Sequence, residues 1–317
     1  MFAWLLANGC SPTAPRSGFQ LELPLACEPG RTCIVQNYFD QDPGPGVRDH
    51  ACLSRTYDGH DGTDFRVPNL SAMRAGVAVL ASAAGTVRAV RDGEPERLLA
   101  DGEKAPAGRE CGNGVVLTHP DGWETQYCHL ARGSVAVGDV VAAGGELGRV
   151  GLSGQTQFPH VHLNVRRNGA KVDPFAPGPA PSGCGEGSPL WSAAALASLS
   201  TGSPLILDAG FSTGAVSSSD AERGDLEVPD AGSDAIVAWV RAIGLEAGDV
   251  QWLRLVSPTG DVTGDPQPPL ERAKATYVLS AGKRNKTGRL PTGTWRMTYS
   301  VTRAGVVVAA REAYLDL

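Results

Sequence analysis

Residues 158–167 read FPHVHLNVRR, with Val161, Leu163 and Val165 on one parity and His160, His162, Asn164 and Arg166 on the other. Apolar and polar side chains alternating at period two describe a half-buried β-strand. On a strand, residues i and i+2 leave the same face, so both imidazoles project into one volume above a sheet. A helix would separate them by about 200°. Two histidines on one strand are in themselves no more than exposed polar side chains. Their meaning depends on what else the chain can bring to that face.

The remainder of the chain favours strands as well. Forty glycines and 23 prolines in 317 residues give many turns and short elements, and the length suits about two domains, each with its own core. Short apolar stretches separated by Gly-centred turns run through GVAVLASAAGTVRAV, NGVVLTH, WETQYCHL, GSVAVGDVVAAGGELGRVG and HVHLNV. The Pro, Gly and Ser stretch FAPGPAPSGCGEGSP breaks this pattern. Beyond it, AIVAWVRAI, VQWLRLVSP, ATYVLSA and the pair GTWRMTYSVTR and VVVAAREAYLDL predict a small β-sandwich that contains no histidine. The expected organisation is a lead-in over 1–26, a chemistry-bearing domain over 27–178, a linker over 179–200 and a β-rich domain over 201–317, mainly β throughout.

A net charge of −6 and the lack of a dense basic cluster argue against a nucleic-acid partner. No apolar run reaches the 18 or more residues of a membrane-spanning helix. The opening MFAWLLANGC has a short apolar run without a preceding Lys or Arg, and its LANGC resembles a lipoprotein cleavage site, which makes Cys10 a candidate lipid anchor. Seven cysteines without any CxxC spacing point to disulfides and an oxidising, extracytoplasmic compartment (periplasmic, secreted or envelope-associated). A Pro-Gly turn brings Cys27 back to Cys33, Cys111 and Cys128 flank a hairpin turned by HPDG, and Cys52 and Cys184 remain to pair by elimination.

All six histidines lie between positions 50 and 162. In YDGHDGTDF, a turn-forming Gly62-Thr63 separates His60 from Asp64 and can bring an imidazole and a carboxylate to one point. Together with the strand histidines they make a candidate metal set. Two imidazoles and one carboxylate suit zinc with a fourth position open for water, whose pKa the ion lowers to about 7. Magnesium or calcium would need more oxygen ligands, and ligand type alone leaves a redox metal open. His60, Asp64, His160 and His162 acting together would close the site, so one histidine should stand aside. His129 in WETQYCHL is an additional candidate to accept and return protons. His50 reads as a solvated loop residue, His119 as support for its turn, and Tyr57 as near enough in sequence to donate to an oxyanion.

GHDGTDF, GNGVVLTHPDGWETQYCHL, VAVGDVVAAGGELGRVG and FPHVHLNV, in that order, resemble the lysostaphin/LytM-type zinc metallopeptidases, the β-lytic endopeptidases that cut peptide bridges of the bacterial cell wall. The resemblance covers roughly residues 57–176. It implies a compact antiparallel core of the duplicated-hybrid-motif type and one Zn2+ per chain on His60, Asp64 and His162. His160 and His129 would then line the zinc water without ligating it, and the partners would be peptidoglycan stem peptides or cross-bridges. Asn164 stands where family members often carry a glutamate, and GLSGQTQF replaces the usual Ser-Thr-Gly turn. Some relatives of this kind are noncatalytic and activate a separate wall amidase; these usually lack some of the metal ligands, whereas all five positions are filled here. The family leaves open which cross-link is cut, and the sequence leaves open what residues 201–317 do.

Overall fold

The computed structural model describes residues 18–317 apart from 101, 179–184, 186, 200–203 and 287. Cys10, Cys184 and the start of the lead-in lie outside the described residues, as does the proposed Cys52–Cys184 pairing. The other two expected pairings are present as Cys27–Cys33 and Cys111–Cys128 disulfides.

The largest sheet is built around a hairpin. β1 (Ile34–Asn37), β2 (Thr63–Arg66), β3 (Ala78–Leu80), β4 (Gly85–Arg91), β5 (Asn113–Thr118), β6 (Trp123–Gly133), β7 (Val140–Val141), β8 (Glu146–Val150), β9 (His160–Arg167) and β10 (Ala170–Val172) form ten strands. β5 turns into β6 through Pro120-Asp121-Gly122, where Asp121 and Gly122 hold φ of 58° and 74°. Aspartate tolerates that region and glycine enters it without steric cost, so the DG pair reverses the chain tightly. The hydrogen-bonded order is β1-β2-β9-β6-β5-β4-β7, with β10 on β9 and β8 joining β6 to β3, and every pairing is antiparallel. Val161, Leu163 and Val165 of β9 enter the core beside Phe65, Tyr127 and Leu147, as the alternation requires. β9 is nevertheless covered on both faces: His160 and Asn164, of the polar parity, are buried too.

Segments expected as lead-in and linker contribute to this core. Leu21 and Leu25 are buried in it with Trp191, Ala195 and Leu199, and Phe19 stacks on Trp123 at 4.6 Å. The short helix α2 (Ala193–Ser198), capped by Ser192, carries Ala195 inward. It follows α1 (Leu70–Arg74), whose cap is Asn69. These helices are too short for a periodic apolar stripe to betray them in sequence. His50 also departs from expectation. Its ring stacks on Phe175 at 4.7 Å and meets the edge of Tyr38, so it is half-buried in an aromatic cluster and burial lowers its pKa.

The remaining strands form two sheets facing one another. β11 (Leu205–Ser212), β12 (Ala235–Leu245) and β15 (Lys274–Arg284) make one, in the order β11-β12-β15. β13 (Val250–Val256), β14 (Val262–Thr263), β16 (Thr294–Arg303) and β17 (Val306–Asp316) make the other, in the order β14-β13-β16-β17. Ile236, Ala238 and Val240 of β12 pack against Leu253 and Leu255 of β13 and Trp295, Met297 and Tyr299 of β16. The period-two spacing on each strand is that of a sandwich.

The sandwich touches the large sheet through side chains that are nearly all buried. Ile34 packs on Leu207 and Ile243. Glu222, on helix α3 (Ser218–Arg223), receives Arg66 of β2 at 2.7 Å and Arg241 of β12 at 2.8 Å, and both arginines are 1% exposed.

Candidate metal centre

β2 and β9 run antiparallel with Asp64 opposite His162, while Cys128 of β6 flanks His162 on the other side. His60 sits just ahead of β2 in a turn closed by its own N–H donating to the Tyr57 carbonyl at 2.9 Å. Gly62 lets this turn press against the strand: a Cβ there would lie 2.5 Å from His162 Nε2. Glycine at this position is thus a steric requirement of the site.

Three atoms converge. His60 Nε2 is 3.2 Å from Asp64 Oδ1 and 3.2 Å from His162 Nδ1, and His162 Nδ1 is 2.9 Å from Asp64 Oδ1. A tetrahedral ion with bonds of about 2.0–2.1 Å spaces its ligands about 3.3–3.4 Å apart, so the three donors form one face of a tetrahedron of nearly that size. His60, Asp64 and His162 can hold a metal ion.

The other atom of each of these side chains is also engaged. His60 Nδ1–H donates to the Tyr38 carbonyl at 2.6 Å, which turns the Nε2 lone pair toward the centre. Asn37 Nδ2 donates to Asp64 Oδ2 at 2.8 Å. His162 Nε2 lies 3.3 Å from Asp61 Oδ1, and the second Asp61 oxygen is bridged to Lys171. A carboxylate behind an imidazole fixes its tautomer and raises its basicity as a ligand. Burial opposes a charge on His162, but Asp61 and Asp64 outweigh it and lift its pKa to about 9. Burial would likewise raise Asp64, yet the imidazoles around it hold its carboxyl well below the usual range. A concentration of negative charge around imidazole nitrogens favours any cation that enters.

Two further histidines face this point. His160 Nδ1 donates to the Phe158 carbonyl at 2.8 Å and lies 3.1 Å from Thr156 Oγ1, while its Nε2 is 3.5 Å from Asp64 Oδ1. His129 Nδ1 donates to the Ser153 carbonyl at 2.8 Å, and its ring centroid is 4.6 Å from that of His160. In both rings the carbonyl holds a proton on Nδ1, so Nε2 is the nitrogen left for exchange. Burial, reinforced by His160 and His162, lowers the His129 pKa well below its ordinary value, so the ring is neutral.

His129 does not continue the regular strand. Between β5 and β6 the register shifts so that Cys128 and His129 oppose Gly114 alone, and His129 has φ of 65°. This is a bulge with a non-glycine residue in left-handed backbone, which costs about 1–3 kcal/mol and re-aims the side chain. The His129 N–H donates to the Cys111 carbonyl at 2.8 Å, its carbonyl accepts from Gly151, and the Cys111–Cys128 disulfide spans the same place.

The structure therefore gathers all five expected side chains and keeps His119 apart, bonded to the Ala84 carbonyl and Thr125 Oγ1 beside its turn. Tyr57 is half exposed and lies tilted against the His60 ring, with centroids 4.4 Å apart. Sequence reasoning missed Asp61, Lys171, Asn37, Thr156 and Ser153. Only Asp61, inside HDGTD, carried a usable signal, an acidic side chain next to a candidate ligand. Asn164 donates through Nδ2 to the Asp61 carbonyl at 2.6 Å and so supports the same turn.

Similarity to known proteins coincides with this region. The chain is 43% identical over 91 residues to the DD-carboxypeptidase/endopeptidase Mpg of Neisseria meningitidis serogroup B, covering 28% of this chain and 21% of that protein. It is 38% identical over 80 residues to the glycyl-glycine endopeptidase ALE-1 of Staphylococcus capitis, covering 24% and 22%. The chain thus spans about a fifth of the length of these curated relatives. Among solved structures, the catalytic domain of the prophage-encoded M23 protein EnpA from Enterococcus faecalis matches with 24% identity and a TM-score of 0.35, over 50% of this chain and 98% of that one. The profile of Peptidase family M23 matches residues 58–174, a span that holds all five converging side chains. Residues 58–174 form a domain of peptidase family M23.

Proposed function

We propose that this protein is a zinc-dependent endopeptidase that hydrolyses peptide cross-links of bacterial peptidoglycan outside the cytoplasm. The observation that carries this reading is the convergence of His60 Nε2, Asp64 Oδ1 and His162 Nδ1 with two carbonyl-anchored histidines beside them. The relatives named for endopeptidase activity support it, and two disulfides accord with an oxidising compartment.

His60, Asp64 and His162 would hold the ion, one per chain. Zinc bound there supplies a lowered water pKa and a polarised carbonyl. His129 and His160, each with Nδ1 held by a backbone carbonyl, accept a proton from the attacking water and return it to the leaving amine. As a neutral ring His129 starts in the accepting state, and once protonated it can donate to the developing oxyanion. The Ser153 and Phe158 carbonyls keep the transferable proton on the Nε2 side.

Defined peptidoglycans should be digested with and without chelator and the products read by mass spectrometry. New amino and carboxyl ends at a stem or bridge peptide, lost with chelator and restored by zinc, are expected, together with about one zinc per chain. Intact cross-links after digestion by zinc-loaded protein would overturn the proposal, and stimulation of a separate amidase by that inactive protein would establish the regulatory alternative.

A further inference from the structure

Two cavities meet at the metal centre, sharing Tyr57, His129 and Gln155 in their walls. One passes His160 between Leu99 and Phe158. The other, ≈ 280 Å³, follows β9 beyond His162 and is lined by Gln126, Asn164 and Arg166. Their chemistry differs at the far ends. Lys104, at the mouth of the first, is exposed on a loop. Arg166, in the second, is partly buried on the rigid strand that carries the histidines, and it shares their parity.

The Arg166 guanidinium has no hydrogen-bond, ion-pair or ring partner among the described residues. Its cross-strand neighbours explain this. Glu124, opposite it on β6, is taken by Arg88 at 2.9 Å. Lys171, opposite it on β10, is taken by Asp61. Glu110 lines the same cavity but accepts from the Gly108 N–H and is not paired with Arg166. A guanidinium offers five donors in a planar fork that matches a carboxylate. A partly desolvated one without an acceptor lacks the partner its surroundings would ordinarily supply.

We infer that Arg166 forms a carboxylate-recognising subsite that selects peptides bearing a free carboxylate on the His162 side of the scissile bond. Four residues of strand separate His162 from Arg166, about 13 Å. An extended substrate lying along β9 therefore presents to Arg166 a carboxylate within about four residues of the reacting carbonyl, as a chain terminus or an acidic side chain. The position of the scissile bond rests on the endopeptidase reading, whereas recognition of the carboxylate does not.

The test uses the zinc-loaded full chain and two probes: a stem-peptide dimer cross-linked through D-Ala and diaminopimelate with its carboxylates free, and the same dimer with them amidated. Binding is measured by calorimetry and kcat/KM from product release. Wild type should prefer the free carboxylates by about 10- to 100-fold, the range expected of a charge-assisted hydrogen-bonded pair. Arg166→Gln should lose that preference while handling the amidated dimer as wild type does, with zinc content unchanged, and Arg166→Lys should restore part of it. Equal affinity of wild type for both dimers, or a preference that survives in Arg166→Gln, would overturn the subsite. Arg166-dependent binding without cleavage would uphold the subsite and sink the endopeptidase reading; cleavage without preference would do the reverse.

Discussion

At the scale of single residues, the site divides its histidines by which nitrogen is already occupied. His162 offers Nδ1 to the centre because Asp61 holds Nε2, whereas His160 spends Nδ1 on a backbone carbonyl. His162→Ala should therefore abolish metal binding, while His160→Ala keeps the metal and loses about 10²- to 10⁴-fold in turnover, as zinc analysis and kinetics on the same preparations would show. Equal loss of zinc from the two variants would contradict this division. Asp61→Asn should weaken metal affinity about 10- to 100-fold, measurable by competition with a chromophoric chelator. Which nitrogen each ring presents was illegible in the sequence, because it follows from strand register and from carbonyls contributed by distant segments. That five side chains belong together was legible, because the strand parity and the HxxxD turn each confine their members to a small volume.

Asp173, which is not one of the converging side chains, gives a separate residue-scale test. It is 4% exposed, accepts from Gln41 Nε2 at 2.5 Å and from the Phe175 N–H at 2.8 Å, and burial lifts its pKa to about 6. A carboxyl with a raised pKa holds its proton more tightly when folded. Stability therefore falls as pH rises from the unfolded value near 4 through about 6, and the full penalty, on the order of 2–3 kcal/mol, applies above that. Asp173→Asn removes the titration. The stability difference between wild type and this variant should shift by that amount between pH 4 and pH 7.5 in denaturant melts, and a difference independent of pH would refute the assignment.

Among elements, the bulged strand β6 is the most informative. Its sequence WETQYCHL alternates like any strand, and the extra residue at Cys128–His129 leaves no compositional mark. Left-handed φ at a histidine is sustained from outside, by the Cys111 carbonyl and the disulfide beside it. Replacing both Cys111 and Cys128 with serine should cost about 3 kcal/mol of stability, the chain-entropy value for a loop of this size. It should also lower kcat more than zinc content, since His129 is released and no ligand is touched. An unchanged kcat at full zinc loading would show that the bulge holds itself. The short strands β1 and β2 went unpredicted for a related reason: at four residues each, and buried at every position, they show no alternation to read.

For the whole molecule, the contact between the sandwich and the large sheet reaches the site. Arg66 pairs with Glu222 at one end, and its guanidinium lies 4.6 Å over the ring of Phe158, whose carbonyl anchors His160. We propose on this basis that residues 205–317 act as a brace for the groove. Glu222→Gln leaves two buried arginines short of their shared anion, so a loss of about 3–5 kcal/mol is expected, visible as a lowered melting temperature. Deleting residues 205–317 should depress hydrolysis of a soluble peptide as much as that of intact walls, whereas an adaptor would be needed only for walls. Sequence alone showed a second set of strands without histidine. It could not show this contact, because Arg66 and Glu222 are 156 positions apart and neither lies in a motif.

The spacing of the three converging donors also orders events in time. His60 and Asp64 come from one turn, but His162 follows them by 102 and 98 positions. No nascent chain shorter than residue 162 contains the third donor, and none in which β9 has yet to pair with β2 can present it. Metal capture thereby waits on residue 162 and on its pairing opposite Asp64, and an N-terminal fragment that ends before that residue carries no competent centre.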